Sequence, residues 1–419
     1  MSSPADPRPA STSRTRSPRG PRILGALGLL LCASCERVTY TSSGGEAGSG
    51  GSPSLEAASV SRADVLRTAA HCATSLHTRA AEALEALASA TEEARLSPDA
   101  AHREAARAAW VEASLSWQQT FHVRVGPGGP ATLPEGSNLR EQVDPWPSVS
   151  RCLVEKALVE EAYAAKDFGT TSLPSVRGLP AAEYLLFYEG RDNACPESTT
   201  LNTSGSWSAL APEELDARKA AYAAVVTKLA AEQARAIAEA WSPEVGDFAT
   251  RFASPGTKGA PFADETTALN ALATGLFELD TGVKDDKVGV ALGRVDCEAA
   301  PCPVVPEATF AHLGVEQVRQ NLFGFRRVFE GCDDRPAFSG LLASLGATSL
   351  ALSLPRDLDV ALELCDELHS GDLSEAAAVQ TQTLESLHAR LQQISDALKT
   401  EVTTLLDVEP PSRIEGDND

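Results

Sequence analysis

The sequence predicts an all-α protein built from two packed helical bundles. Hydrophobic residues make up 43% of the 419 residues, whereas aromatic residues make up only 5%. Alanine and leucine abound, and clusters of the strand-favouring residues valine, isoleucine and tyrosine are scarce. Apolar residues recur at helical spacing in two runs of about four helices each. We therefore expect an N-terminal bundle over residues 59–196 and a C-terminal bundle over residues 197–408.

The elements follow from apolar periodicity and from the residues that interrupt it. The first helix keeps apolar residues near helical spacing until a Ser-Pro-Asp break at residues 97–99. A glycine- and proline-rich stretch, residues 126–147, predicts a long loop of the type that is more often functional than decorative. The predicted helices cover residues 61–94, 98–121, 150–165, 180–188, 213–241, 262–279 with continuation toward 288, 315–329, 337–347, 358–368 and 374–406.

The first 35 residues predict a lipoprotein signal peptide. Five arginines precede an apolar core, residues 23–31, that is too short to span a bilayer as a helix. The core runs into Leu-Cys-Ala-Ser-Cys, residues 31–35, which resembles a bacterial lipobox. Cleavage before Cys32 would place the bulky Leu31 where a small residue is needed, so Cys35 is the predicted lipidated residue. We expect a cell-envelope protein anchored to a membrane through Cys35.

The residues next to Cys35 and those at the C-terminus are predicted to lie outside the folded part. Glu36 follows the lipidated cysteine, and the absence of an aspartate there favours the outer membrane. Residues 36–58 are rich in glycine and serine and predict a flexible tether. Residues 409–419, with two prolines and several acids, predict a disordered tail.

The net charge of −22 limits the partners of the protein. Nucleic acid and anionic lipid surfaces would be repelled, so no nucleic-acid partner is expected. Cationic ligands would be attracted. A solubility surface on an exported protein explains the same charge without any ligand.

Seven cysteines follow Cys35, an odd number in a compartment where disulfides persist. Many pairings are open to seven thiols. Position along the chain favours Cys297 with Cys302, and Cys332 with Cys365, and leaves one thiol unpaired.

A single carboxylate, Glu183, interrupts an otherwise apolar helical segment at residues 178–187. Pro180 suits the first position of a helix, which would place Glu183 in the first turn. Two explanations remain open at this point. The acid could simply favour the positive end of the helix dipole. Alternatively it could be buried beside a cation, hydrogen-bond donors or a metal.

The same segment resembles a family signature. Gly178, Pro180 and Glu183 occupy the three specified positions of the Gly-x-His-x-x-Glu pattern of imelysin-like proteins, with proline in place of histidine. Residues 270–293 and residues 320–331, an Asn-Leu-x-Gly helix that begins at Gln320, are similar to further segments of this family. The resemblance covers residues 61–406 and implies two helical bundles.

The resemblance also implies a site and a cellular role. Imelysin-like proteins are exported proteins tied to iron uptake, and they were first classed as metallopeptidases. The implied ligand-binding residues are Arg177, Gly178, Glu183, Trp146, Asp280 and Asn321. Glu183 is the implied metal ligand, with iron or another divalent metal as the candidate ion. By residue type alone, its partners would be His122, Asp144 or Asp280, and the candidate cations near the buried acids are Arg177, Arg326 and Lys284.

The sequence lacks the common catalytic motifs that would support an enzymatic function. The sequence contains no His-Glu-x-x-His zinc motif, no Gly-x-Ser-x-Gly elbow and no phosphate-binding loop. The prediction is a lipid-anchored binding protein for a metal species or small ligand linked to iron uptake, with iron-uptake components as candidate partners. The alternatives are a metallopeptidase-like enzyme of the same family and a structural envelope lipoprotein without a ligand.

Overall fold

Helices form almost all the regular structure in residues 59–295 and 306–410, which are the residues that the computed structural model describes. The predicted all-α class is confirmed. The only strands in this part of the chain are β1 (Gly331–Cys332) and β2 (Arg335–Pro336), which pair antiparallel. The predicted signal peptide with Cys35, the tether to residue 58, and all but the first two residues of the tail lie outside the described residues. No helix in the described ranges is long and apolar enough to cross a membrane.

The helices follow one another along the chain as follows: α1 (Arg62–Leu96), α2 (Ala100–Gln118), α3 (Arg140–Val143), α4 (Arg151–Val159), α5 (Phe168–Thr171), α6 (Gly178–Phe187), α7 (Thr200–Thr203), α8 (Pro212–Trp241), α9 (Phe248–Phe252), α10 (Glu265–Leu276), α11 (Gly314–Phe329), α12 (Phe338–Ser344), α13 (Thr348–Glu367), α14 (Leu373–Val379), α15 (Thr381–Ala397) and α16 (Thr403–Leu406). Two π-helical segments, Leu279–Gly289 and Leu398–Val402, follow α10 and α15.

Two long helices, α1 and α8, pack along each other. Helix α1 begins with a capping box, in which the Ser61 side chain accepts from the backbone of Asp64 and the Asp64 side chain accepts from the backbone of Ser61. Helix α8 begins with Pro212 at its first position. Helix α6 packs against both α2 and α8, which fixes the position of Glu183. The division into bundles at residues 196 and 197 stays a prediction.

The predicted helix 150–165 ends early, at Val159, and two predicted helices in the C-terminal half differ from the observed ones for identifiable reasons. Helix α13 begins ten residues before the predicted start at Leu358 and carries Pro355 in its interior. Burial of Leu354 and Leu358 on either side offsets the hydrogen bond that proline cannot donate. The predicted last helix, residues 374–406, is interrupted at Gln380. Its side chain accepts from the backbone N–H of His369 and donates to the carbonyl of Glu367, so it ties the break to the end of α13.

The disulfides correct one predicted pair. Cys332 is bonded to Cys72 and not to Cys365, because β1 lies beside α1 and brings the two Cα atoms to 6.1 Å. A second bond joins Cys152 to Cys195. Cys365 is a buried free thiol. The predicted pair of Cys297 and Cys302 lies outside the described residues.

Replacing both Cys72 and Cys332 with alanine should lower the free energy of unfolding by about 3 kcal/mol, because this bond closes a long loop in the unfolded chain. The two residues are 260 positions apart. Urea denaturation without reductant measures the change. Cys365→Ala is the control, since it removes a buried thiol but leaves the cross-link in place. Equal stability of the double variant and the parent would contradict a stabilising role.

Candidate functional site

Glu183 lies on α6, which begins two residues earlier than predicted. The helix starts at Gly178 with Arg177 as the N-cap residue, so Pro180 is its third residue and Glu183 lies beyond the first turn. The prediction that Pro180 begins the helix was therefore wrong. The reason is Gly178, which has φ of +79° and lies against the preceding loop. A Cβ at Gly178 would lie 2.5 Å from Pro145 Cδ and 2.7 Å from the Val143 carbonyl oxygen, so only glycine fits there.

The Glu183 side chain is buried and accepts two backbone hydrogen bonds. Its Oε1 accepts from the N–H groups of Phe310 and Ala311, at 2.7 and 2.9 Å. Burial, with a smaller contribution from the nearby carboxylates of Glu307 and Asp144, raises the pKa of Glu183 from about 4.5 to about 8, although the two hydrogen bonds act in the opposite direction. Glu183 therefore holds a proton near neutral pH. The simple explanation by the helix dipole does not apply, because Glu183 is not at the helix end.

A second carboxylate, Glu307, belongs to a buried polar network. It pairs with the ammonium group of Lys287, with 2.7 Å between Nζ and Oε2. Lys287 also donates to the side-chain oxygens of Asn321 and Gln118, at 2.7 and 3.0 Å. Gln118 in turn donates from Nε2 to Glu307 Oε1 at 2.7 Å. The network holds one fully buried cation, Lys287, between α2, α11 and the π-helical segment Leu279–Gly289.

The third buried carboxylate, Asp144, is the least satisfied of the three. Burial and the charge of Glu307 raise its pKa to about 7, although Arg140 and Lys287 act in the opposite direction. Its Oδ2 accepts one long bond of 3.4 Å from Gln118 Nε2, and its buried Oδ1 has no hydrogen-bond partner in the described residues. A buried oxygen without a donor is costly, and a ligand or a proton would satisfy it.

Glu183 and Glu307 line a cavity of about 300 Å³ between α6, the loop after α3 and the segment that begins at residue 306. The rings of Trp146, Tyr184 and Phe310 supply apolar wall. Arg151 also lines the cavity, but it is paired with Glu155 at 2.7 Å and so does not balance the acids of the site. Protons on the carboxyls, the ammonium group of Lys287 and the buried guanidinium of Arg140 near Asp144 therefore carry most of the charge balance.

Of the six ligand-binding residues predicted from the sequence, Trp146 and Glu183 line the cavity and the other four do not. Trp146 and Glu183 share the cavity, Asn321 belongs to the network around Lys287, and Gly178 sets the start of α6. Arg177 does not face Glu183, because its guanidinium donates to the Gly169 carbonyl and the Gln142 side chain.

Asp280 lies in a different buried cluster. Its carboxylate pairs with Lys399 at 2.5 Å and with Lys284 at 3.5 Å. Lys284 is thus a partner of Asp280 and of Asp285, not of Glu183. These groups form an ion cluster around the π-helix and the segment after α15, apart from the cavity wall.

The remaining candidate partners of Glu183 are engaged elsewhere. His122 is fully buried, its Nδ1 faces the Gly275 carbonyl at 2.8 Å, and burial lowers its pKa to about 3. Arg326 pairs with Asp359 and Glu330. Of the three candidate metal partners, only Asp144 acts electrostatically on Glu183.

The carboxyl groups near the cavity suit a cation that takes oxygen ligands. They suit a bare ion that needs a histidine nitrogen less well. Pro180 lines the cavity where the family pattern has histidine, so apolar surface replaces a nitrogen ligand. Carboxylate oxygens suit hard cations. The three carboxyls do not converge to ligand distance: in the described ranges, the only three side chains of ligand type that do so are His71, Cys332 and Asp333, and Cys332 is in a disulfide. A hydrated ion or a small complex is therefore a better match for the cavity than a bare ion.

Comparison with known proteins supports the same fold. The Imelysin family model, of the peptidase M75 type, matches residues 73–405. No curated protein matches the sequence.

Two solved structures are similar. An imelysin-like protein from Psychrobacter arcticum 273-4 has a TM-score of 0.59 at 16% identity, covering 84% of this chain and 98% of that chain. A candidate iron-regulated protein A precursor from Parabacteroides distasonis ATCC 8503 has a TM-score of 0.62 at 15% identity, covering 84% and 97%. The family match spans most of the chain, so the protein belongs to the imelysin family.

Proposed function

We propose that the protein is an exported, lipid-anchored binding protein linked to iron uptake, whose cavity beside Glu183 takes a metal species or a small cationic ligand. The observation that carries the proposal is the concentration of buried carboxyl groups around the cavity, with Glu183 and Glu307 in its wall and Asp144 acting on both from outside the wall. Asp144 and Glu183 both have raised pKa values, and Glu307 uses the only buried ammonium group in their network. A cation would replace the protons and pair with the carboxylates.

Two further observations support the proposal. One of the similar structures bears the name of an iron-regulated protein. The predicted lipid anchor at Cys35 and the tether would hold the domain at the cell envelope, where such a ligand is collected. The peptidase alternative has less support, because a Glu183 that is already protonated near neutral pH does not accept a proton from water.

Calorimetric titration of the chelator-treated protein with Mn²⁺, Fe²⁺ and Zn²⁺ tests this proposal. We expect the wild type to bind one ion, and Glu183→Gln to bind roughly 10- to 100-fold more weakly, since a contact to a charged group is worth about 1.5–3 kcal/mol. Pro180→His, which restores the histidine of the family pattern, should gain affinity for Zn²⁺. Glu104→Gln, at an exposed position on α2, is the control and should bind like the wild type.

Absence of binding by the wild type, or equal binding by Glu183→Gln, would contradict a metal site at this cavity. Metal-dependent cleavage of unfolded substrates that is lost in Glu183→Gln would favour the peptidase. Failure of both binding and cleavage would leave only the structural lipoprotein.

A further inference from the structure

A second cavity, of about 380 Å³, lies between α1, α2, α8 and the end of α6. Four cationic side chains line it, whereas only two carboxylates do. The cations are Arg103, Arg107, Arg191 and Lys219, and the carboxylates are Glu189 and Asp216. This concentration of positive charge is unusual for a chain with a net charge of −22.

Both carboxylates are already paired with arginines. Glu189 bonds Arg107 at 2.8 Å, and Asp216 bonds Arg191 at 3.1 Å. In residues 59–295 and 306–410, neither Arg103 nor Lys219 forms a salt bridge. Arg103 donates to the Pro98 carbonyl. Neither Arg103 nor Lys219 is therefore neutralised by a direct ion pair, although Asp216 acts on Lys219 and Glu189 acts on both cations at longer range.

Of these two cations, Lys219 gives the stronger evidence for an anion-binding site. It is only 6% exposed, and its ammonium group donates one hydrogen bond, of 2.7 Å, to the Tyr188 carbonyl. The rings of Tyr184 and Tyr188 lie 5.3 Å from Nζ and give weaker support. An ammonium group has three donors, so two remain for a ligand. Burial lowers the pKa of Lys219 to about 8, even though Asp216 acts in the opposite direction, so the ammonium group is incompletely compensated.

We propose that this cavity binds a small organic anion with two or more negative charges, held by Lys219 and Arg103. The volume is much larger than a single phosphate group requires, since one water takes about 30 Å³ of liquid volume. Side chains of Ala94, Ala220 and Leu185 provide apolar wall for a carbon skeleton. The two unpaired cations match two anionic groups, and the guanidinium can bind a carboxylate or phosphate in bidentate fashion. The site is separate from the carboxyl-lined cavity, so the proposal is independent of the proposed function.

Calorimetric titration of the metal-free protein at pH 7 with citrate and with glycerol 3-phosphate tests the proposal. We expect at least one of them to bind the wild type, and Lys219→Gln and Arg103→Gln each to weaken that binding about tenfold or more. The anion that binds more tightly identifies carboxylate or phosphate as the preferred group. Binding should weaken above about pH 8 as Lys219 loses its proton.

Lys228→Gln is the matched control, because it removes an exposed lysine from the same helix. It should bind like the wild type. Arg103 is exposed, so Arg103→Gln decides the question if Lys219→Gln fails to fold. The proposal is overturned if neither anion binds the wild type. It is also overturned if Arg103→Gln binds as tightly as the wild type, or if Lys228→Gln loses as much affinity as the cavity variants.

Discussion

Replacing Lys287 with methionine should lower the free energy of unfolding by about 3–5 kcal/mol, because it removes one partner of a buried ion pair. Lys287 has no exposed surface, and its ammonium group lies 2.7 Å from a carboxylate oxygen of Glu307. Without it, Glu307 must lose its charge or remain buried without a cation. The side-chain oxygen of Asn321 would also lose its donor, and that of Gln118 would keep only the bond from Asn321 Nδ2. Urea denaturation at pH 7 measures the change.

Two further variants separate this effect from a general loss of packing. The double variant Lys287→Met with Glu307→Gln should regain part of the stability, since no uncompensated charge is left in the interior. Lys228→Met, at an exposed site, should change stability by less than about 0.5 kcal/mol. A loss of less than about 1 kcal/mol in Lys287→Met would show that the network is not buried as described.

Glu183 should make the metal-free protein less stable as the pH rises from about 4.5 to about 8. The pKa of Glu183 is about 8 in the folded protein and about 4.5 in an unfolded chain, so the folded state holds one more proton within this window. Raising the pH removes that proton and leaves a charge in the interior. The free energy of unfolding therefore falls, at most by about 1.4 kcal/mol per pH unit from this group.

Glu183→Gln provides the matched comparison, because the amide oxygen still accepts from Phe310 and Ala311 but does not titrate. Over this window its free energy of unfolding should fall less than that of the wild type, because the two proteins share their other titrating groups, among them Asp144, His77 and His122. Chemical denaturation at several pH values measures both slopes. Parallel curves for the two proteins would mean that Glu183 has an ordinary pKa and is open to water.

The sequence predicted most helices because their periodicity and caps are local. The predicted starts at residues 61 and 213 lie within one residue of the observed starts of α1 and α8, where the Ser61–Asp64 capping box and Pro212 act locally. The loop before Trp146 was predicted except for the short helix α3 within it, and burial of Glu183 was one of the two explanations that the sequence left open. An isolated acid within an apolar segment requires a partner in any helical fold.

The partners of Glu183 could not be predicted, because they come from distant parts of the chain. The backbone N–H groups of Phe310 and Ala311 cannot be recognised from residue type. Cationic side chains such as Arg177 were therefore the predicted partners. Residues 118, 287 and 307 converge only after α2, the π-helix and the segment after residue 305 are packed. The pairing of Cys72 with Cys332 depends on the same long-range packing.

The substitution at position 180 changes the expected ligand. Where the family pattern has a histidine three positions before the glutamate, this chain has Pro180 in the cavity wall. The donors that remain at or beside the cavity are carboxyl oxygens, so preference should shift from Zn²⁺ toward harder cations.

The number of protons released when Mn²⁺ binds tests the central claim most directly. Titration calorimetry at pH 6.5, in two buffers with different ionisation enthalpies, gives this number. Since Glu183 and Asp144 hold protons at that pH, the wild type should release about one proton or more per ion, and Glu183→Gln should release fewer. Equal proton release by the two proteins, or no binding by the wild type, would contradict a cation site built on protonated, buried carboxyl groups.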